Sequence, residues 1–274
     1  MPQESPRRVA VITGAARGQG RSHAVALAAQ GIDIIAVDRC ADIESIPYPL
    51  ATEQDLAETA EQVRAVGGEI ETVVADVRDL AELQNGIDRG IARFGDIDIV
   101  VANAGVVAIG LPDPTDSAVY RDIVDVNLVG VWHTIAATAP SMIRRGIGGS
   151  MVLVSSMQGL VGRGGDGSAA TFAYAASKHG VVGLMRSAAN AYAQHNIRVN
   201  SIHPTGVATP MIFNEHMANV VAANPEGTGM GGNLLPVPYV EPEDVTAAVV
   251  FLVSDGARYI TGTALPVDAG NAVM

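Results

Sequence analysis

Tyr174 and Lys178 stand four residues apart in the stretch YAASK, and Lys178 is the only lysine in the chain. The other 16 residues in the Lys+Arg count of 17 are arginines. On a helix, this spacing puts both side chains on one face. A phenol has an unperturbed pKa near ~10, too high for a good base at neutral pH. A cation one turn away favours the phenolate, so the pair has the makings of a general acid–base. Lysine brings a compact ammonium on a flexible stem, where arginine brings a planar fork.

A second group of residues could hold a phosphate-bearing ligand. TGAARGQG, with Gly14, Gly18 and Gly20, follows an apolar run and precedes a helical pattern. Glycines there let the backbone approach a pyrophosphate, which then faces the helix N-terminus. Asp38 ends the next apolar run, 24 residues after Gly14. A carboxylate at that place accepts ribose hydroxyls and repels a 2′-phosphate, favouring NAD over NADP. Arg39 beside it argues the other way, and Asp38 is expected to prevail. ADV (75–77) and NAG (103–105) close two further runs, so four consecutive strand ends carry polar or glycine signals.

These residues need a scaffold, and the hydrophobic pattern supplies one. Short β-branched runs at 8–13, 33–38, 70–76, 97–103, 150–156, 197–203 and 263–268 alternate with helical patterns at 19–30, 53–66, 79–93, 117–145, 172–194 and 242–254. Near-continuous apolar strands between helices indicate a parallel sheet buried on both faces. The expectation is a single α/β domain over 1–274, with a doubly wound sheet of about seven strands and helices on both faces. Two stretches break the rhythm: an insertion at 39–52 and a Pro-, Gly- and Met-rich region at 204–241 that reads as a lid over a pocket.

Composition narrows the function classes. A net charge of −12 leaves no basic stripe for nucleic acid. No apolar run approaches a membrane span, and the N-terminal stretch lacks a secretory core, so a cytoplasmic protein is expected. One cysteine, Cys40, excludes an internal disulfide framework. The histidines show no ligand spacing, and no metal is expected. His203 reads as a satisfied strand-end residue, and Trp132 and His133 as packing residues.

TGAARGQG, NAG, Ser156 with Tyr174-x-x-x-Lys178, and HPTGVAT together resemble the short-chain dehydrogenase/reductase family, in the family's order and over essentially the whole chain. The resemblance implies a Rossmann-type domain, a homotetramer and hydride transfer between NAD and a CH–OH group. It assigns Tyr174 as base, Lys178 as its partner and donor to the cofactor ribose, Ser156 as the hydrogen bond to the substrate oxygen, and Asn127 as holder of a relay water. It further implies cofactor contacts from Gly14, Arg17, Gly18, Gln19, Gly20, Asp38, Arg39, Asp76, Val77, Asn103, Ala104, Gly105, Val207 and Thr209. SMQG matches the family's Ser-x-x-Gly and selects Ser156 over Ser155, which strand alternation points the other way. The 18-residue gap from Ser156 to Tyr174 is longer than usual, with 162–168 as the insertion.

The insertion after the second strand, Gln19, VSSMQGL and the C-terminal LPVDAGNAVM resemble the mycofactocin-dependent, carveol dehydrogenase-like branch of that family. That resemblance implies that the 39–52 insertion, stiffened by Pro47 and Pro49 with Tyr48 between them, closes over the cofactor. It thereby implies tightly bound NAD reoxidised by an external carrier, mycofactocin. Met157 and Met211 are expected at an apolar substrate pocket, beside Leu160, Ile212 and Phe213, with few charges beyond Glu215 and Glu226. The alternatives are a 3-oxoacyl or hydroxysteroid-type reductase with exchangeable NAD, a sugar-nucleotide epimerase or dehydratase, for which the chain is short, and a non-catalytic NAD-binding regulator, which would be expected to lose Ser156, Tyr174 or Lys178.

Overall fold

The computed structural model describes residues 7–163, 165–223 and 232–274. Seven strands, β1 (Val9–Thr13), β2 (Asp33–Asp38), β3 (Ile70–Val74), β4 (Ile99–Ala102), β5 (Gly149–Val154), β6 (Ile197–Pro204) and β7 (Ala264–Val267), form one sheet in the order β3-β2-β1-β4-β5-β6-β7. Every pairing is parallel. All seven expected strands are present.

Alternation along the strands builds two cores. Ala10, Ile12, Ile34, Ala36, Val101 and Val152 face α1 (Gly18–Ala28), α2 (Glu53–Ala65) and α8 (Pro242–Val253). Their neighbours Val9, Val11, Ile35, Val37, Val100 and Met151 face α3 (Leu80–Phe94), α5 (Gly130–Arg145) and α6 (Ala169–Tyr192). Successive strand residues point to opposite faces, which is why the runs read as continuously apolar. Helix starts are set by side-chain caps: a Thr52–Asp55 capping box opens α2, Asp79 opens α3 and Ser168 opens α6.

The long helix expected at 117–145 is divided. α4 (Ser117–Val124) gives way to a π-helical turn at Asp125–Val129 before α5 continues. The sequence contains no breaker there, and such turns recur at functional sites. A short helix, α7 (Glu215–Ala223), occupies part of the 204–241 region. Residues 224–231 of that region, Glu226 included, lie outside the described residues, as does Gly164 of the 162–168 insertion. Trp132 is half exposed at 49%, so the expected packing role holds for the buried His133 alone. Among the described residues no helix is long and apolar enough to cross a membrane.

A third apolar cluster matters for the site. Ile43, Ile46 and Tyr48 from the 39–52 insertion pack with Val106, Ala108, Val126 and Ala173. The insertion thus leaves the end of β2 and reaches across to the far side of the strand-end crevice.

Candidate active site

The crevice opens at the carboxyl ends of β1 and β4, where strand order reverses and open α/β sheets bind ligands. Gly14, Arg17, Gly18, Gln19, Asp38, Arg39, Asp76, Val77, Asn103, Ala104, Gly105, Thr209 and Met211 all line it. The β1–α1 turn is built for close approach. Gly14 has φ +67, and a Cβ on it would stand 2.8 Å from the Ala104 Cα. Helix α1 has no side-chain cap and no acidic residue in its first turn, leaving its N-terminal dipole uncompensated at the crevice.

The polar lining fits a dinucleotide. Asp38 accepts from Ala16 N at 3.0 Å and Cys40 N at 3.1 Å, one bond on each carboxylate oxygen. Burial raises its pKa, while these bonds and Arg17 pull the other way. The buried Gln19 Oε1 and Arg39 Nη1 have no hydrogen-bond partner in the protein, which suits lining that awaits polar ligand atoms. Arg39 Nη1 lies 3.5 Å from Asp76 Oδ2, an ion pair without a hydrogen bond, and Asp76 is also held by Arg78 at 2.8 Å. The arginine that spoke for a 2′-phosphate is therefore already paired with a carboxylate.

Four expected cofactor residues, Gly20, Val207, Tyr174 and Lys178, do not line the crevice. Gly20 is buried behind the turn, where a Cβ would come within 2.0 Å of the Gly14 carbonyl oxygen, so its role is helix–turn packing. Val207 is buried in the core cluster of α8 and bridges to Val240. Any contact it makes in the crevice falls to its backbone.

Behind Gly105 of the crevice wall lie Asn127 and Lys178, with Tyr174 and Ser156 next to the lysine. Ser156 caps a 3-10 turn, Met157–Gly159, its Oγ accepting from Gln158 N at 3.2 Å. Its side chain stands beside Tyr174, where it pulls the phenol's pKa down. Ser155 points away, its Oγ donating to the Lys178 carbonyl at 2.8 Å, as alternation required. His203 supports the serine from behind through Nδ1 and the Ser156 carbonyl, at 2.8 Å. A carbonyl only accepts, so Nδ1 carries the proton and Nε2 accepts from Ser201.

Lys178 is buried, donates to the Val154 carbonyl at 3.0 Å, and has its pKa lowered by burial to about 8. Its ammonium lies 5.7 Å from the Tyr174 ring centroid. Burial raises the Tyr174 pKa, and Ser156 only partly opposes it. Asn127 sits on the π-helical turn with its amide bridging Val106, accepting from Val106 N and donating to Val106 O, both at 2.8 Å.

Around this centre Met211 lines the crevice and Met157 is buried beside Ser156. Leu160 packs into the α6-side core, and Phe213 stacks edge-on to Tyr239 at 5.0 Å. From the 39–52 insertion, expected near the cofactor with Tyr48 between Pro47 and Pro49, the residues Ile43, Tyr48 and Leu50 line the crevice. Of these, Ile43 and Leu50 are not singled out by the sequence reading. The available signal for both was the aromatic between two prolines inside the same insertion. Among the described residues no cluster of three His, Cys, Asp or Glu is gathered for a metal.

Residues 8–218 match the short chain dehydrogenase family. An uncharacterised oxidoreductase of Mycobacterium tuberculosis is 52% identical, the match covering 96% of this chain and 95% of the relative. (-)-trans-Carveol dehydrogenase of Rhodococcus erythropolis is 46% identical over 97% and 98% of the two chains. The crystal structure of carveol dehydrogenase from Mycobacterium avium in complex with NAD superposes with a TM-score of 0.90 at 45% identity, covering 97% of this chain and 98% of that one. With the sheet order, the crevice and the Ser156–Tyr174–Lys178 grouping in agreement, the chain belongs to the short-chain dehydrogenase/reductase family.

Proposed function

We propose that the protein is an NAD-dependent dehydrogenase interconverting a secondary alcohol and its ketone, with a cyclic terpenoid alcohol of the carveol type as substrate. The observation that carries this reading is the buried Lys178 ammonium 5.7 Å from the Tyr174 ring, with Ser156 beside the tyrosine, directly behind Gly105 of the crevice wall. NAD⁺, when bound, supplies the carbon that accepts hydride from the alcohol. Gly14, Gly18 and the α1 N-terminus would hold its pyrophosphate, and Asp38 its adenosine ribose through the lone pairs its two backbone bonds leave free.

The protein's own groups then manage one oxygen and one proton. Ser156 donates to the substrate oxygen and fixes its position. Tyr174 takes the hydroxyl proton, and Lys178 uses the donors left after its bond to Val154 to hold the cofactor ribose. Asn127 bridges both main-chain groups of Val106, which fixes the π-helical turn that would hold a relay water. The apolar Met157 and Met211 favour an uncharged ring over a charged substrate.

The insertion supports a captive cofactor reoxidised by an external carrier. Arg17 Nη2 donates to the Pro49 carbonyl at 2.6 Å on one wall of the crevice. On the other wall Tyr48 Oη accepts from Val107 N at 3.3 Å and Ser45 donates to Asp122 at 2.7 Å. The test is carveol oxidation by purified protein with NAD⁺ alone and with an artificial electron acceptor alone, beside Tyr174→Phe. Acceptor-only turnover, lost in Tyr174→Phe, is expected. Turnover with free NAD⁺ would keep the dehydrogenase and remove the captive cofactor. Activity surviving in Tyr174→Phe would sink the mechanism.

A further inference from the structure

The loop that carries Ser156 is anchored to the far end of the chain. Gln158 Nε2 donates to the Arg163 carbonyl at 2.5 Å, and the Gln158 backbone N–H donates to Ser156 Oγ at 3.2 Å. The Arg163 guanidinium, in turn, donates to the Met274 carbonyl at 2.7 Å and to both the main-chain carbonyl and Oδ1 of Asn271, the latter at 3.2 Å. Asn271 is buried and set by its own turn, where Asp268 accepts from Gly270 N and Ala272 N at 3.0 and 2.7 Å.

Asn271 also faces the opposite way. Its Nδ2 donates to the Gly232 carbonyl at 3.0 Å and to Asn233 Oδ1 at 3.3 Å. Asn233 Oδ1 accepts in addition from Thr205 Oγ1 at 2.9 Å. Thr205 belongs to the turn after β6 that leads to Thr209 and Met211 in the crevice wall. One continuous path therefore joins the serine loop to the turn after β6 through Gln158, Arg163, Asn271, Asn233 and Thr205.

We propose that Arg163 is a positioning residue for Ser156, and that its anchor on Asn271 and Asn233 locks the serine loop and the post-β6 turn into one body that grips the substrate from two sides. This rests on the dehydrogenase reading for what Ser156 does. The physical case is geometric. Ser156 must meet the substrate oxygen at hydrogen-bond distance, and displacements near 1 Å in such positioning cost about 10²-fold in rate. His203 fixes the serine's main-chain carbonyl, but the 3-10 turn beyond it bonds to Arg163 through Gln158, inside a Gly-rich insertion. A guanidinium fork that reaches two residues of another segment at once is a suitable clamp, since its donors are held in fixed relative directions.

The test combines kinetics with hydrogen exchange on the full-length protein. Arg163→Ala and Asn271→Ala are each expected to lower kcat for carveol oxidation about tenfold or more, with the Kd for NADH unchanged. Gln158→Glu, which cannot donate to the Arg163 carbonyl, is expected to reproduce the Arg163→Ala loss, and the double variant to be no worse than either single. Arg163→Lys, which keeps one donor, should recover part of the rate. In Arg163→Ala the amides of 157–162 and of 232–237 should exchange faster together, a coupling that a purely local tie would not produce. Wild-type kcat in Arg163→Ala, or faster exchange confined to 157–163, overturns the proposal. Tyr174→Phe run alongside separates the two failures: its inactivity keeps the dehydrogenase reading, whatever Arg163 does.

Discussion

Lys178 has almost no room to be anything else. Its Nζ bonds to the Val154 carbonyl at 3.0 Å, and a methyl placed on Gly105 would stand 3.4 Å from it. A guanidinium carries three nitrogens in a plane where the ammonium carries one, so Lys178→Arg must push against Gly105, Val154 or the Tyr174 ring. We expect this variant to fold and to retain measurable NAD binding, yet to lose turnover at neutral pH by about 10²-fold or more. Steady-state rates beside a circular dichroism melt check it, and near-wild-type turnover would refute this account of the lone lysine. The neighbouring glycine gives a graded companion. Gly105→Ala would set its methyl 3.3 Å from Asn127 Oδ1, tighter than ordinary contact, and 3.4 Å from Lys178 Nζ, at the near edge of it. Its effect should fall on kcat and cofactor affinity rather than on the thermal midpoint, because the crowded atoms belong to the site.

At the scale of elements, the insertion after β2 acts as a strap. Tyr48 is its central anchor: 5% exposed, packed among Val106, Ala170 and Ala173, with its pKa pushed up to about 12, mainly by burial. Tyr48→Ala should release bound NADH at least tenfold faster, read by fluorescence after dilution into competitor, and should cost roughly 3 kcal/mol of stability as a truncated buried aromatic. Unchanged release would leave the strap without its assigned purpose. The strap also shows where sequence reading ran out. Seven strands, their parallel order and the residues at their carboxyl ends were legible, because alternating burial on a two-faced sheet writes itself into local composition. So were the proximity of Tyr174 and Lys178, from one helical turn, and the turning away of Ser155, from strand alternation, whereas Ser156 came from the resemblance of SMQG. The π-helical turn at Asp125–Val129 left no mark, since its cause is tertiary: Asn127 is held by Val106, 21 residues away. Gly20 and Val207 were assigned to the cofactor because they lie inside matching motifs, but motif membership does not separate a side chain facing the crevice from one facing the core. Arg163 was invisible for a similar reason, as its partner Asn271 lies 108 residues further on.

Across the whole molecule, the cofactor helix α1 is fastened to α8 by a buried polar contact that responds to pH. His23 is fully buried on α1, and its Nδ1 lies 2.7 Å from Thr246 Oγ1 on α8. Thr246 donates to the Pro242 carbonyl at 2.9 Å, so it accepts from His23, and the imidazole is neutral with its proton on Nδ1. Nε2 is buried without a partner, and a proton there would be a buried N–H⁺ with nothing to bond. Burial accordingly lowers the His23 pKa to about 3, from 6.5 when exposed. Below pH 6.5 the unfolded chain binds a proton that the folded chain refuses. Stability from this group is therefore complete above 6.5 and lost as pH falls towards 3, by up to about 1.4 kcal/mol per pH unit. Urea unfolding between pH 7 and pH 4.5 should show this slope on top of whatever the carboxylates contribute. His23→Leu, close in size, removes the titration together with the unsatisfied nitrogen, but leaves Thr246 with its bonds to Ser22 and Pro242. The variant should lose some stability at pH 7 from the missing hydrogen bond and yet decline less steeply in acid, so that the two curves converge or cross near pH 5. Parallel curves throughout would mean that α1 and α8 separate before His23 is protonated, and that acid enters the molecule elsewhere.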